Sequence, residues 1–227
     1  MKLVYEGKTK NVYELPDGNY LFKLKDDATG KDGVFDPGEN AVGLTIAGLG
    51  RKSLELTKYF FEKLNAIGIP THYISCDLDQ ASMTVKPATL FGGGGLEVIC
   101  RLKAVGSFIR RYGGYVKEGT ELDYLVEFTL KDDERGDPPA SKETLILLGL
   151  INDADYETLK DLTKKITAFL KKDLAEKGLE LFDIKLEFGV VGGEIVLIDE
   201  ISGGSMRVFH NGASVAPMEI NDFVIKP

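Results

Sequence analysis

Polar and apolar residues alternate without a break from Phe182 to Phe188. Phe182, Ile184, Leu186 and Phe188 fall on one side, and Asp183, Lys185 and Glu187 on the other. A period of two is the signature of a strand with one buried face, so three charges share the opposite face. Gly192-Gly193 predicts a two-residue hairpin turn, because both positions take positive φ without a Cβ clash. The return strand is 194–198. If Val191 pairs with Glu194, Glu187 pairs with Ile198, and Asp199 follows one residue on. Glu187 and Asp199 are thereby expected side by side at the open mouth of the hairpin, although they are distant in sequence.

Elsewhere the pattern predicts a mixed fold. Short apolar runs at 3–5, 12–15 and 20–24 are separated by turn residues and read as a meander of strands. From 25 to 50 the chain is rich in Gly and Asp without clear period, and is expected to be a long loop. Residues 51–67 carry Leu54, Thr57, Phe60, Phe61 and Leu64 at helical spacing, with Gly68 and Pro70 beyond as stops. A strand pair is expected around the turn at 77–81, with Lys86 closing its second strand. Gly92 to Gly95 reads as a hinge and places a boundary between domains 1–90 and 91–227. Strands at 96–101 and 126–130 follow. A long helix at 156–177 presents Leu159, Leu162, Ile166, Phe169, Leu170 and Leu174 on one stripe.

Composition narrows the function. With 227 residues and 43% hydrophobic content, the chain has enough apolar material for one large domain or two small ones. No apolar run approaches membrane length and the N-terminus lacks the stretch of a signal peptide, so a cytoplasmic protein without a membrane partner is expected. Cys76 and Cys100 lack CxxC spacing, which argues for a reduced compartment and no zinc site. A net charge of −8 argues against broad nucleic-acid binding. Only His72 and His210 are present, and GxSxG is absent, which disfavours a Ser-His hydrolase.

The remaining chemistry is that of phosphate and metal. Two adjacent carboxylates repel unless a cation lies between them, and oxygen ligands of this kind suit Mg²⁺, which takes one or two protein carboxylates plus substrate phosphates. Glu187 and Asp199 are therefore the candidate metal ligands. The turn Gly7-Lys8-Thr9-Lys10 combines backbone amides with two ammonium groups, though it is too short for a P-loop. Arg101, the small-residue turn ending in Gly106-Ser107, and Arg110-Arg111 offer guanidinium and hydroxyl donors of the kind that bind phosphate, with a surface basic cluster as the plain alternative.

The segments GKTKNVY, LKDDAT, AVGS, EGTELDYLVEFTLKDDERGDP, KLEFG and IDEIS, in that order between about Val4 and Phe209, resemble the phosphoribosylaminoimidazole-succinocarboxamide synthase family, also called SAICAR synthetase. The resemblance implies an α+β fold in two parts, a small antiparallel nucleotide-binding domain and a larger α+β domain. It implies a ligase that uses ATP and Mg²⁺ to join aspartate to carboxyaminoimidazole ribonucleotide through an acyl phosphate. Carried over residue by residue, it assigns Gly7, Lys8, Thr9, Lys10 and Lys86 to ATP, and Glu187 and Asp199 to the metal. Arg101, Gly106, Ser107 and Arg207 fall to the ribonucleotide, and Lys131, Asp137 and Lys185 to the catalytic cleft. The partners expected are small molecules, with a homo-oligomer left open.

Four departures from the family pattern bear on the acceptor. Leu102 follows Arg101 where an Asn is common, and Ser202-Gly203-Gly204 stands in place of Ser-Pro-Asp. The stretch 86–97 is longer by about three residues, and the chain stops at Pro227 without the usual basic segment and closing helix. The alternatives are thus a paralogous carboxylate-amine ligase, or a kinase or nucleotide-binding protein on the same scaffold.

Overall fold

The computed structural model describes residues 1–31, 34–35 and 42–225. Strands β1 (Lys2–Glu6), β2 (Lys10–Glu14) and β3 (Tyr20–Leu24) form the predicted meander. Strands β4 (Asp27–Lys31), β5 (Val34–Phe35) and β6 (Val42–Thr45) precede helix α1 (Leu49–Ala66). Then come β7 (Tyr73–Asp77), β8 (Ser82–Val85), β9 (Thr89–Leu90) and β10 (Leu96–Lys103), the short helix α2 (Ser107–Tyr112), and β11 (Glu121–Leu130). A 3-10 turn at Asp133–Arg135 leads to α3 (Lys142–Leu147) and α4 (Asp153–Ala175). The chain continues through β12 (Glu180–Val191), β13 (Glu194–Ile198), β14 (Met206–His210), β15 (Ala213–Ser214) and α5 (Ile220–Val224).

Among the described residues the strands build three sheets. The smaller principal sheet has the order β1-β2-β3-β8-β7, and the larger runs β11-β10-β12-β14-β15, with β13 and β9 also paired to β12. The third is β5-β4-β6. The pairings in the two principal sheets are antiparallel, as an α+β fold requires.

The main core lies between the larger sheet and two helices. Leu56, Phe60, Phe61 and Leu64 of α1 and Leu159, Ile166, Leu170 and Leu174 of α4 meet Val98, Cys100 and Leu102 of β10 and Ile184, Leu186 and Phe188 of β12. Burying such side chains stabilises by about 1.5–3 kcal/mol each, the main reason these helices stay on the sheet. A second, smaller core of Leu24, Leu54, Met83 and Val85 sits beneath the smaller sheet. Leu54 therefore turns one side of α1 toward the smaller sheet while Phe60 and Phe61 face the larger. Further joins between the parts are a parallel bridge from Thr71 to Leu197 and the pairing of β9 with β12.

The hairpin register is the one expected: Val191 faces Glu194 and Glu187 faces Ile198. One detail of β12 differs. A bulge between Leu181 and Asp183 sends Leu181 into the core, while Phe182 stacks on Phe209 at 3.7 Å between ring centroids.

The loop expected at 25–50 is a correction, since β4 pairs with β6, Asp27 facing Thr45 and Ala28 facing Leu44. Its strands were hidden because they join by close backbone contact and not by large alternating side chains. A Cβ on Gly43 would lie 2.4 Å from the Gly30 carbonyl carbon. Residues 32–33 and 36–41 of that expected loop lie outside the described residues. The helix after it begins earlier than its apolar stripe, because Asp26 accepts hydrogen bonds from the Gly48 and Gly50 amides at its start. Strand β11 and helix α4 likewise start before their predicted bounds, α4 with an Asn152 side-chain cap on the Asp155 amide.

Candidate functional site

The polar face of β12 carries the cleft. Its neighbour β10 pairs Glu97 with Glu187, Ile99 with Lys185 and Arg101 with Asp183, so alternation on both strands brings six side chains to one surface. At one end Arg101 is almost wholly enclosed, 1% exposed. A buried guanidinium needs partners for its charge and its donors. Its Nε donates to Glu127 at 2.5 Å, Nη1 to Asp183 at 3.0 Å and Nη2 to Ser107 at 2.8 Å. Arg207 of β14 donates to the same Asp183 oxygen at 2.7 Å, and Arg111 of α2 to Glu127 at 2.5 Å. Burial pushes the Asp183 carboxyl up, against the pull of Arg207 and Arg101.

Gly106 has φ +56°, and a Cβ there would come within 2.5 Å of the Arg207 guanidinium carbon. Only glycine lets this turn pass so close to Arg207. A cavity of about 260 Å³ opens over the arginines, lined also by Ser107, Thr129, Asp137 and Lys185. Cations and hydroxyls at one end of such a cavity suit a phosphate-bearing ligand.

Lys185 stands midway and donates to Glu97 at 2.7 Å, while Thr129 donates to the other Glu97 oxygen at 2.9 Å. Burial opposes the Lys185 charge, but Glu97 outweighs it and holds the ammonium above its ordinary range. Asp137 has φ +48° and accepts from the Asp132 amide at 2.7 Å. Burial, then the nearby Glu97, raises its carboxyl.

The far end is the hairpin mouth. Lys131 donates to both Glu187 oxygens at 3.0 Å, and Lys10 makes an ion pair with Asp199. Burial and then repulsion by Asp199 push the Glu187 carboxyl up to about 7. Burial works against ionised Asp199 as well, but Lys10 and Lys131 outweigh it and hold that carboxyl well below its usual range. Glu200 is raised by burial and shares the field of Lys10. Among the described residues no group of three or more His, Cys, Asp or Glu side chains is placed to hold a metal alone. Two crowded oxygen donors, one of them raised by the other's charge, nevertheless fit Mg²⁺, whose remaining positions go to water and substrate phosphates.

Most of the expected residues are brought together, and Gly7, Lys8, Thr9 and Lys86 stand outside the two clusters. Lys10, Lys131, Glu187 and Asp199 form one cluster, and Arg101, Gly106, Ser107 and Arg207 another, with Lys185 and Asp137 between. The Gly7 amide donates to the Lys10 carbonyl at 2.9 Å, closing the turn, while the Thr9 carbonyl accepts from Lys25. Lys8 points to Asp133 at 2.6 Å instead of the carboxylate pair. Lys86 is exposed, and among the described residues no ion pair joins its ammonium.

Glu97, Glu127, Thr129 and Asp183 were not assigned from sequence. The first follows from applying period two to β10, since Glu97 and Arg101 share a face. Leu102 requires a correction: it lies in the apolar core, on the face of β10 opposite Arg101, so a change there removes no group from the cleft. The turn 202–204 does adjoin the carboxylates, Gly204 donating to Ser202 and Ser202 to Glu200.

Fold and cleft together define an α+β protein that handles phosphorylated small molecules, with an arginine pocket and a lysine-carboxylate cluster at opposite ends of one strand. The family model described as SAICAR synthetase matches residues 3–219. A phosphoribosylaminoimidazole-succinocarboxamide synthase of Clostridium tetani is 57% identical over 228 aligned positions, covering 100% of both chains. A SAICAR synthetase (type 2) solved in complex with ADP is 33% identical, with TM-score 0.81 over 92% of this chain and 86% of its own. The SAICAR synthetase of Pyrococcus horikoshii OT3 is 30% identical, with TM-score 0.79 over 96% and 91%. The chain belongs to the SAICAR synthetase family. No described helix is long and apolar enough to cross a membrane.

Proposed function

We propose that the chain is a cytoplasmic ATP-dependent ligase joining L-aspartate to carboxyaminoimidazole ribonucleotide in purine biosynthesis. One observation carries the placement of the substrates: Asp183, Lys185 and Glu187 occupy successive positions on one face of β12. At about 3.3 Å per residue they span roughly 13 Å, enough to hold a ribonucleotide from its phosphate to its carboxylate. The phosphate belongs with Ser107 and Arg207, over the buried Arg101. The carboxylate then points along β12 toward Lys185, Lys131 and the acidic pair. The ADP held by a related structure supports ATP as the co-substrate.

The residues account for the chemistry in this arrangement. A carboxylate is a poor electrophile, so the γ-phosphoryl group is transferred to its oxygen, the bond to ADP breaking as the acyl phosphate forms. Lys10 and Lys131 neutralise charge on the transferred group from fixed positions, which costs little reorganisation. Glu187 and Asp199 would hold Mg²⁺, which would add to the neutralisation of the phosphates. Aspartate's amine attacks the acyl carbon, phosphate leaves with the electron pair of the broken bond, and the amine proton passes to Asp137, whose raised carboxyl is suited to accept it. Lys185 orients the carboxylate from the Glu97 side. No protein nucleophile is needed.

ADP release measured with ATP, Mg²⁺ and the ribonucleotide tests the reading. Release that requires both the ribonucleotide and aspartate is expected. Release with another amine but none with aspartate would move the assignment to a different ligase.

A further inference from the structure

We infer that His72 is a positioning residue for the metal end of the cleft, holding the peptide of Asp199 from inside the fold. The inference rests on the assignment of Glu187 and Asp199 to Mg²⁺, and concerns how one of them is kept in place.

Asp199 has φ +65°, a left-handed conformation uncommon for non-glycine residues, although Asp adopts it more readily than most. Such a residue persists where its surroundings over-determine it. The His72 ring lies on the core side of it, with Nε2 3.2 Å from the Asp199 carbonyl oxygen. A carbonyl oxygen only accepts, so the bond requires the proton on Nε2. His72 is 2% exposed, and its ring meets Phe22 edge-on at 5.5 Å and Phe61 at 6.0 Å. One aromatic wall comes from the smaller sheet and the other from α1, so the ring has little freedom to turn away.

The backbone of His72 is tied to the same region. Its amide donates to the Leu197 carbonyl at 3.0 Å and its carbonyl accepts from the Lys86 amide at 2.8 Å. One residue thus grips the hairpin strand two positions before Asp199, the Asp199 peptide itself, and the end of β8. Lys10 holds the Asp199 carboxylate from the cleft side while His72 holds its carbonyl from the core side. Losing the imidazole donor would leave the peptide free to rotate and the carboxylate misdirected, although His72 touches no substrate.

The experiment compares His72→Phe, which keeps a ring but no donor, with His72→Gln, whose amide nitrogen reaches close to the position of Nε2. Binding of Mg·ADP is measured by calorimetry, beside magnesium-free ADP, and thermal unfolding is followed for each protein. Supporting groups around metal ligands typically carry about 10- to 100-fold in affinity. The Phe variant is expected to lose about tenfold or more in Mg·ADP affinity, with a much smaller change for magnesium-free ADP, and the Gln variant to recover most of the loss. Parent-like Mg·ADP binding in the Phe variant, or a Gln variant no better than Phe, would overturn the inference. Should the Phe variant fail to fold, His72→Asn, whose amide stops short of the Asp199 carbonyl, replaces it with the same expected outcome. Because the readout needs neither ribonucleotide nor aspartate, it is separate from the ADP-release test: a parent that binds Mg·ADP but turns over no aspartate rejects the ligase reading and leaves the positioning role standing. A parent in which Asp199→Asn leaves Mg·ADP binding unchanged rejects the metal assignment, and His72 with it.

Discussion

Replacing Gly106 with Ala separates the backbone requirement of the arginine pocket from its charge. The native φ of +56° is one that an L side chain occupies only under strain of about 1–3 kcal/mol. The new methyl would also lie 2.5 Å from Arg207 Cζ and Nη2 and 2.7 Å from Nη1. The guanidinium is the flexible end of a side chain, so it swings aside and stretches the 2.7 Å bond to Asp183. A hydrogen bond between charged groups contributes about 1.5–3 kcal/mol net. Asp183 keeps Arg101 and is not left as a bare buried charge, which limits the damage to the fold. The expected result is a melting point lower by about 2–4 °C per kcal/mol of strain, and an increase of about 10- to 100-fold in KM for the ribonucleotide, equivalent to roughly 1.4–2.8 kcal/mol. KM for ATP should be unchanged. The assay is steady-state ADP release, repeated in an Arg207→Ala background, where Gly106→Ala should add little to the loss of ribonucleotide binding. An unchanged ribonucleotide KM, or an equal loss with and without Arg207, would refute the coupling.

Three further outcomes are expected. Glu187→Ala and Asp199→Ala should each abolish ATP turnover while leaving a folded protein by circular dichroism, since both carboxylates lie outside the apolar core. Leu102→Asn should cost about 1–3 kcal/mol in urea unfolding by burying an amide in the core, and leave KM for the ribonucleotide and for aspartate as in the parent. A shifted aspartate KM would return position 102 to the cleft. Asp173 bears on acid stability: burial pushes its carboxyl up, but Lys177, Lys63 and Tyr59 outweigh it and hold it below the ordinary 3.8. The unfolded chain then takes up this proton first as pH falls, so the stabilisation is present above about pH 4 and is lost below it. Asp173→Asn should destabilise at pH 7 and narrow the gap at pH 3, as read by denaturant titration at both.

The hairpin is legible in the sequence because two local rules suffice, alternation along 182–188 and a diglycine turn. Together they place Glu187 against Ile198 before any other strand is known. The helices 49–66 and 153–175 are legible for a similar reason, their stripes being periodic over several turns. What stays hidden is set by distant partners. Asp26 extends α1 from across a loop, and the strands near Gly30 and Gly43 associate through bare backbone. The ends of the cleft show the same division. The hairpin alone brings Glu187 and Asp199 together, but the reach of Lys131 and Lys10 to them, the inward face of Leu102 and the burial of Arg101 depend on distant packing, including which side of β10 meets the helices. Alternation on β10 says that the two differ in face. Only the packing says which face is inside.

β12 is bonded on its two edges to β10, β13, β14 and β9. Asp183, Lys185 and Glu187 are interleaved on it with Ile184, Leu186 and Phe188. A slip of one residue in its pairing would send all three charges into the core and three core side chains into the cleft. Site and core are thus one pattern seen from opposite sides, and an off-register chain has no way to keep a stable core while carrying a defective cleft. Misassembly at this strand ends in an unfolded protein that proteases and chaperones recognise, not in a folded protein that binds ATP without use. The same constraint leaves the turn at 202–204 as the place where specificity is open to change, since it adjoins the cleft without setting the register of the sheet.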